Sequence, residues 1–94
     1  MLQKNNLENI IGSRSKIKLI RFLSKSGEWQ FNLAAVSKSA GIDKGALSRI
    51  IREFESVGIL EVKRSGKLLL FRLNEKNRII SKLIVPFFAK EIDV

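Results

Sequence analysis

Arg49 and Arg52 stand three residues apart in "GIDKGALSRIIREF", the stretch from Gly41 to Phe54. Each guanidinium is a planar fork of donors that can chelate guanine O6 and N7 through two hydrogen bonds. At about 100° per residue, Gly45, Ser48, Arg49, Arg52 and Ser56 cluster on one side of a helix, opposite Leu47, Ile50, Ile51 and Phe54. Ser48 suits a base edge or a phosphate, and Lys44 flanks the start of the same face. Gly45 permits close approach of the helix end, and its N–H adds to the positive terminus that attracts phosphate. The competing reading is an ordinary surface helix whose arginines pair with Glu53 and Glu55 or with solvent.

Other chemistries find little footing. The chain has no cysteine and no histidine. Disulfides, thiol switches, Cys/His metal sites and the usual general base are therefore absent. No two of the nine acidic residues sit in a recognisable catalytic or metal-ligand spacing. No enzyme, cofactor or metal is expected. Charge points elsewhere: 18 Lys and Arg against nine acids give +9 on 94 residues, with a pI near 10.4. Such an excess favours a polyanion, first of all nucleic acid. A lysine-rich solvated surface is the alternative, but such surfaces usually balance Lys with Glu. Apolar residues make up 45% of the chain, enough for one small globular domain over residues 1–94. No apolar run approaches the ~18 residues of a membrane span. "MLQKNNLENI" lacks the order of a signal peptide, so a cytoplasmic location is expected.

Several elements must position the basic face. Asn6 can cap a short helical turn carrying Leu7, Ile10 and Ile11, with Gly12 at its end. Ser13 reads as the N-cap of a helix to about Ser26, with Ile17, Leu19, Ile20 and Leu23 as its apolar stripe. Arg14, Lys18, Arg21 and Lys25 form a basic stripe with no carboxylate on the same helix. After Gly27, "EWQFN" alternates as a brief strand. Trp29 reads as a core or sheet-edge anchor. Asn32 or Phe31 opens a second helix bearing Leu33, Val36 and Ala40, and Gly41 suits its C-terminal cap. Asp43 is a good N-cap for the third helix, 44–57. A joint of about four residues between these helices is that of a helix-turn-helix.

Beyond Gly58, "ILEVKRSGKLLLFRLN" reads as a β-hairpin over about 61–72, turning at Arg64–Gly66. Lys63, Arg64 and Lys67 crowd its tip. Solubility or edge protection explains such charges in part; contact with phosphates or the minor groove explains them better. Asn74 is placed to cap a last helix, within which Pro86 should produce a kink or a split. Ile79, Ile80, Leu83, Ile84, Phe87, Phe88 and Ile92 give this helix seven large apolar residues in fourteen positions. So much apolar surface suggests burial against a second copy of the chain, through Leu7, Ile80, Leu83, Ile84, Phe87 and Phe88. The expected fold is α+β and mainly α: a winged helix-turn-helix, with a three-helix core and a small antiparallel β wing, plus flanking N- and C-terminal helices. The core spans about 13–74, and 75–94 form the dimerisation helix.

"LENIIGSRSKIKLIRFL" and "LAAVSKSAGIDKGALSRIIREFESVGILEVKRSGKLLLFRLN" resemble the small archaeal winged-helix transcriptional regulators of the ArsR/MarR type, of which similar proteins occur in archaeal viruses. The resemblance covers about Leu7 to Asn74. It rests on the Gly-Ser before the first helix, "GIDKGALSR" opening the third, and "GIL" leading into the wing. It implies a DNA-binding homodimer that pairs through helices outside the core. The missing Cys and His ligands set the chain apart from the metal sensors of the ArsR type. In the resulting picture Lys44, Gly45, Ser48, Arg49 and Arg52 enter the major groove. Ser37, Lys38 and Ser39 lie near phosphates, and Lys63, Arg64 and Lys67 lie on the flanking backbone or in the minor groove. The partner is double-stranded DNA carrying an inverted repeat. An architectural DNA-binding protein of little sequence preference, or a protein-interaction module in a transcription or repair assembly, are the alternatives.

Overall fold

The computed structural model describes residues 13–91; the expected helical turn at Leu7, Ile10 and Ile11 lies outside them. Helix α1 spans Arg14–Ser26, α2 Leu33–Ala40 and α3 Lys44–Ser56; strands β1 Leu60–Ser65 and β2 Leu68–Leu73 follow. The last described elements are a π-helical segment, Ile80–Ile84, and α4, Val85–Glu91, which continues it.

Side-chain caps set the three core helices where the sequence places them. Ser13 Oγ accepts from the Lys16 N–H at 3.3 Å, and Gly27, at φ +66°, closes α1 in the left-handed conformation. Asn32 Oδ1 accepts from the Ala35 N–H at 3.0 Å. Asp43 Oδ2 accepts from the N–H groups of Gly45 and Ala46, at 3.1 and 3.2 Å. Each cap satisfies donors that a helix start leaves unpaired. The joint between α2 and α3 is Gly41, Ile42 and Asp43, one residue shorter than expected. It is tightly specified: Ile42 is buried, its N–H donates to the Ser37 carbonyl at 3.0 Å, and Ser37 Oγ donates to the Ile42 carbonyl.

The β-hairpin runs in the antiparallel register Leu60↔Leu73, Val62↔Phe71 and Ser65↔Leu68. Its turn is therefore the pair Gly66–Lys67, not Arg64–Gly66. A positive φ of 61° at Gly66 alone fits a two-residue turn with glycine first. "EWQFN" contributes a single bridge: Gln30 and Phe71 exchange both backbone hydrogen bonds, at 2.8 and 2.9 Å. The segment goes no further because Gly27 closes α1 on one side and Asn32 caps α2 on the other.

Leu19, Ile20, Leu47, Ile51, Phe54, Ile59, Phe71 and Ile80 are fully buried and join α1, α3, the hairpin and the last helix in one core. The last helix begins later than expected. Asn74 instead makes a turn, its Oδ1 accepting from the Lys76 N–H, while Asn77 Oδ1 accepts from the Ile79 N–H at the helix start. The side-chain amides of both asparagines donate to the Gly58 carbonyl, at 3.0 and 3.1 Å, which ties this start to the exit of α3. At Pro86, where a kink or split is expected, the helix instead runs on and changes its winding. The wider π winding, with the Val85 N–H reaching the Ile80 carbonyl, immediately precedes it, and α4 carries Pro86 at its second residue. Proline has no N–H to give to the turn before it, and the wider winding of that turn coincides with its position.

Candidate nucleic-acid interface

Helix α3 buries Leu47, Ile50, Ile51 and Phe54 and presents Lys44, Gly45, Arg49 and Arg52 to solvent, with Ser48 half-buried between. Neither Arg49 nor Arg52 has an ion-pair partner among the described residues. The acids of α3 are engaged elsewhere: Glu53 holds Lys16 of α1 at 3.0 Å, and Glu55 holds Arg64 of the hairpin. The helix thus keeps its cations free by giving its carboxylates to other elements.

Gly45 has a local role that spacing did not indicate. A Cβ at this position would meet Asp43 Oδ2 at 3.2 Å. The glycine leaves room for the capping carboxylate, and its N–H donates to that carboxylate. The N–H expected to attract a phosphate is therefore already satisfied by Asp43. On α2, Lys38 and Ser39 are exposed. Ser37 is half-buried, with its hydroxyl given to the joint as described above.

The hairpin cations are held differently. Arg64 donates from two guanidinium nitrogens to the two oxygens of Glu55, at 3.0 and 3.2 Å. The hydrogen bonds from Arg64 hold the Glu55 carboxyl below the usual carboxylate range, and the same contact raises Arg64. Lys63 Nζ lies 4.8 Å and Arg72 Cζ 4.3 Å from the Trp29 ring centroid. Arg72 also donates to its cross-strand partner Glu61 at 3.1 Å. Trp29 sits at the sheet edge, as expected, but as a platform for two cations. Its cationic partners were not identified from the sequence. The signal was the strand alternation, which puts Glu61, Lys63 and Arg72 on one face of the sheet. Lys67 stands exposed in the turn.

The residues expected between two copies of the chain separate into groups. Ile80 and Ile84 are buried in the chain's own core, because the π segment packs its inner face there. Leu83 and Phe87, four residues apart, are exposed at 54% and 60%. Leu7 and the side chain of Phe88 lie outside the described ones. Among the described residues no group of three or more acids could hold a metal ion, and no helix is long and apolar enough to cross a membrane.

No family model matches the chain, and neither does any curated protein. Solved structures do. The antimony-specific transcriptional repressor AntR superposes with a TM-score of 0.73 at 14% identity, over 97% of this chain and 78% of AntR. The homodimeric winged helix-turn-helix DNA-binding domain of Mb0332 from Mycobacterium bovis, a possible ArsR-family regulator, gives 0.65 at 14%, over 97% of this chain and 76% of that one. NadR, solved with 4-hydroxyphenylacetate, gives 0.65 at 15%, over 86% of this chain and 58% of NadR. The chain has the winged-helix fold. In its terms α2 and α3 are the helix-turn-helix pair, β1 and β2 are the wing, and Gln30 joins the wing sheet through a single bridge. The basic face of α3 is then that of the winged helix's second helix-turn-helix element.

Proposed function

We propose that the chain is a sequence-specific, double-stranded DNA-binding transcriptional regulator that acts as a homodimer. The observation that carries this reading is the basic face of α3: Arg49 and Arg52, exposed and without ion pairs among the described residues, on the helix behind a three-residue joint. A helix so presented fits the major groove, and its two guanidiniums suit guanine edges. Lys44 and Ser48 complete that surface, and Lys38, Ser39 and Lys67 reach flanking phosphates. Leu83 and Phe87, left exposed on the last helix, support pairing with a second copy. In a two-fold dimer the two α3 helices lie about 34 Å apart, one helical turn of DNA, which calls for an inverted repeat. The regulator function and homodimeric form named for the structural neighbours agree with this reading.

Selection of bound sequences from a random duplex pool, followed by footprinting, tests it. The expected product is a palindromic site protected on one face of the duplex. Equal competition by selected and random duplexes would replace the regulator with an architectural DNA-binding protein. Absence of binding to any duplex in dilute salt would leave the protein-interaction module.

A further inference from the structure

Phe31 and Leu68 are large apolar side chains left 61% and 46% exposed. They belong to different elements, the segment before α2 and the first residue of β2, yet they line one open groove of about 330 Å³. Leu33 and Leu69 extend its apolar lining, and Lys44 and Lys67 bring a cation each from the start of α3 and the wing turn. The groove is built on fixed parts. Phe31 is held between Gln30, bridged to Phe71, and Asn32, the cap of α2. Leu68 is held by its pairing with Ser65 across the turn.

We infer that this groove receives one strand of the duplex, with deoxyribose packed on Phe31 and Leu68 and neighbouring phosphates taken by Lys44 and Lys67. This rests on the DNA-binding reading and names its sugar-contacting residues. Two features of the lining select such an occupant. A sugar–phosphate chain carries both apolar and anionic groups, and the groove offers both apolar side chains and lysines. The groove also joins the start of α3 to the wing, so a strand leaving the major groove must pass it to reach the wing. The two kinds of contact respond differently to salt. Lysine–phosphate contacts release counterions and weaken as salt rises, with a slope near −0.9 per contact. Apolar contact releases none and persists.

The test measures binding of a random-sequence duplex across a series of salt concentrations, by Phe31→Ser, Leu68→Ser and the unaltered chain. Both side chains are exposed, so neither change threatens the core. Each variant should bind about tenfold more weakly at every salt concentration, with the slope unaltered, as loss of one buried apolar side chain implies. Variants that bind like the unaltered chain, or whose deficit vanishes at high salt, overturn the inference while leaving the DNA-binding reading in place. An unaltered chain that binds no duplex overturns both.

Discussion

The third helix and the wing carry similar numbers of cations and hold them in opposite ways. On α3, Arg49 and Arg52 project into solvent without ion-pair partners among the described residues. On the wing, Lys63 lies over Trp29, Arg64 grips Glu55, and Arg72 is shared between Trp29 and Glu61. Only at the turn, with Lys67, does the wing offer a cation of the α3 kind. The difference shows that net charge does not measure the surface available to a polyanion. Intramolecular carboxylates and an aromatic ring have already claimed much of the wing's charge, which makes it a stiffening frame as much as a contact surface. The Arg64 pairing draws Glu55 away from the arginines of α3, and Lys16 of α1 does the same for Glu53.

The comparison would break most visibly at α3 itself. Replacing Arg49 or Arg52 by alanine should cost ~1–3 kcal/mol on a selected duplex and relax base preference at one position of each half-site. Binding titrations on selected and random duplexes measure both quantities. Equal losses on the two would make these arginines phosphate contacts.

Next in size is Trp29→Ala, which removes the platform beneath Lys63 and Arg72. Urea unfolding should show a loss of ~1–2 kcal/mol, the scale of cation–π contacts together with partly buried aromatic area. Hydrogen exchange should quicken in β1 and β2, and binding should weaken alike on every duplex. Unchanged exchange in the hairpin would make the ring a passive neighbour.

These contrasts explain what the sequence could and could not disclose. The starts of the three core helices were legible because Ser13, Asn32 and Asp43 act locally, through hydrogen bonds to N–H groups two or three residues on. The apolar stripe of α3 was legible for the same reason, since periodicity is a local property. Partnerships between elements were not. Nothing local joins Arg64 to Glu55, nine residues away across the exit of α3, or Lys16 to Glu53, 37 residues away. Ile80 shows the same limit: its spacing puts it on an apolar face, but only the packed core shows that this face turns inward. Ile42 and Ile59, single apolar residues in connecting segments, belong to no periodic stripe and were found only by packing.

Within the wing, the contrast sharpens between two lysines that look equivalent in sequence. Lys67→Ala should lower affinity for all duplexes and reduce the salt slope by ~0.9, the loss of one phosphate contact. Lys63→Ala should move the slope less, because its ammonium is already placed over Trp29. Equal slopes for the two variants would show that the Trp29 contact yields whenever DNA is present.

The smallest expected effect concerns Glu55, and its sign distinguishes two roles for the Arg64 contact. If the pair withholds Arg64 from phosphate, Glu55→Gln should raise affinity for random duplex by about twofold to fivefold, the scale of one exposed ion pair, and leave the thermal midpoint nearly unchanged. If the pair instead holds the wing in its binding position, affinity should fall. The pH dependence follows from the direction in which Arg64 moves the Glu55 carboxyl. Because that pKa is lowered in the folded chain, the contact is fully present above the ordinary carboxylate range and is lost as pH falls through the lowered value. The difference in affinity between the unaltered chain and Glu55→Gln should therefore be greatest near neutral pH and close on acidification, as Glu55 takes up its proton. Arg64 stays charged throughout, so a difference that persists at low pH would have to arise from something other than this ion pair.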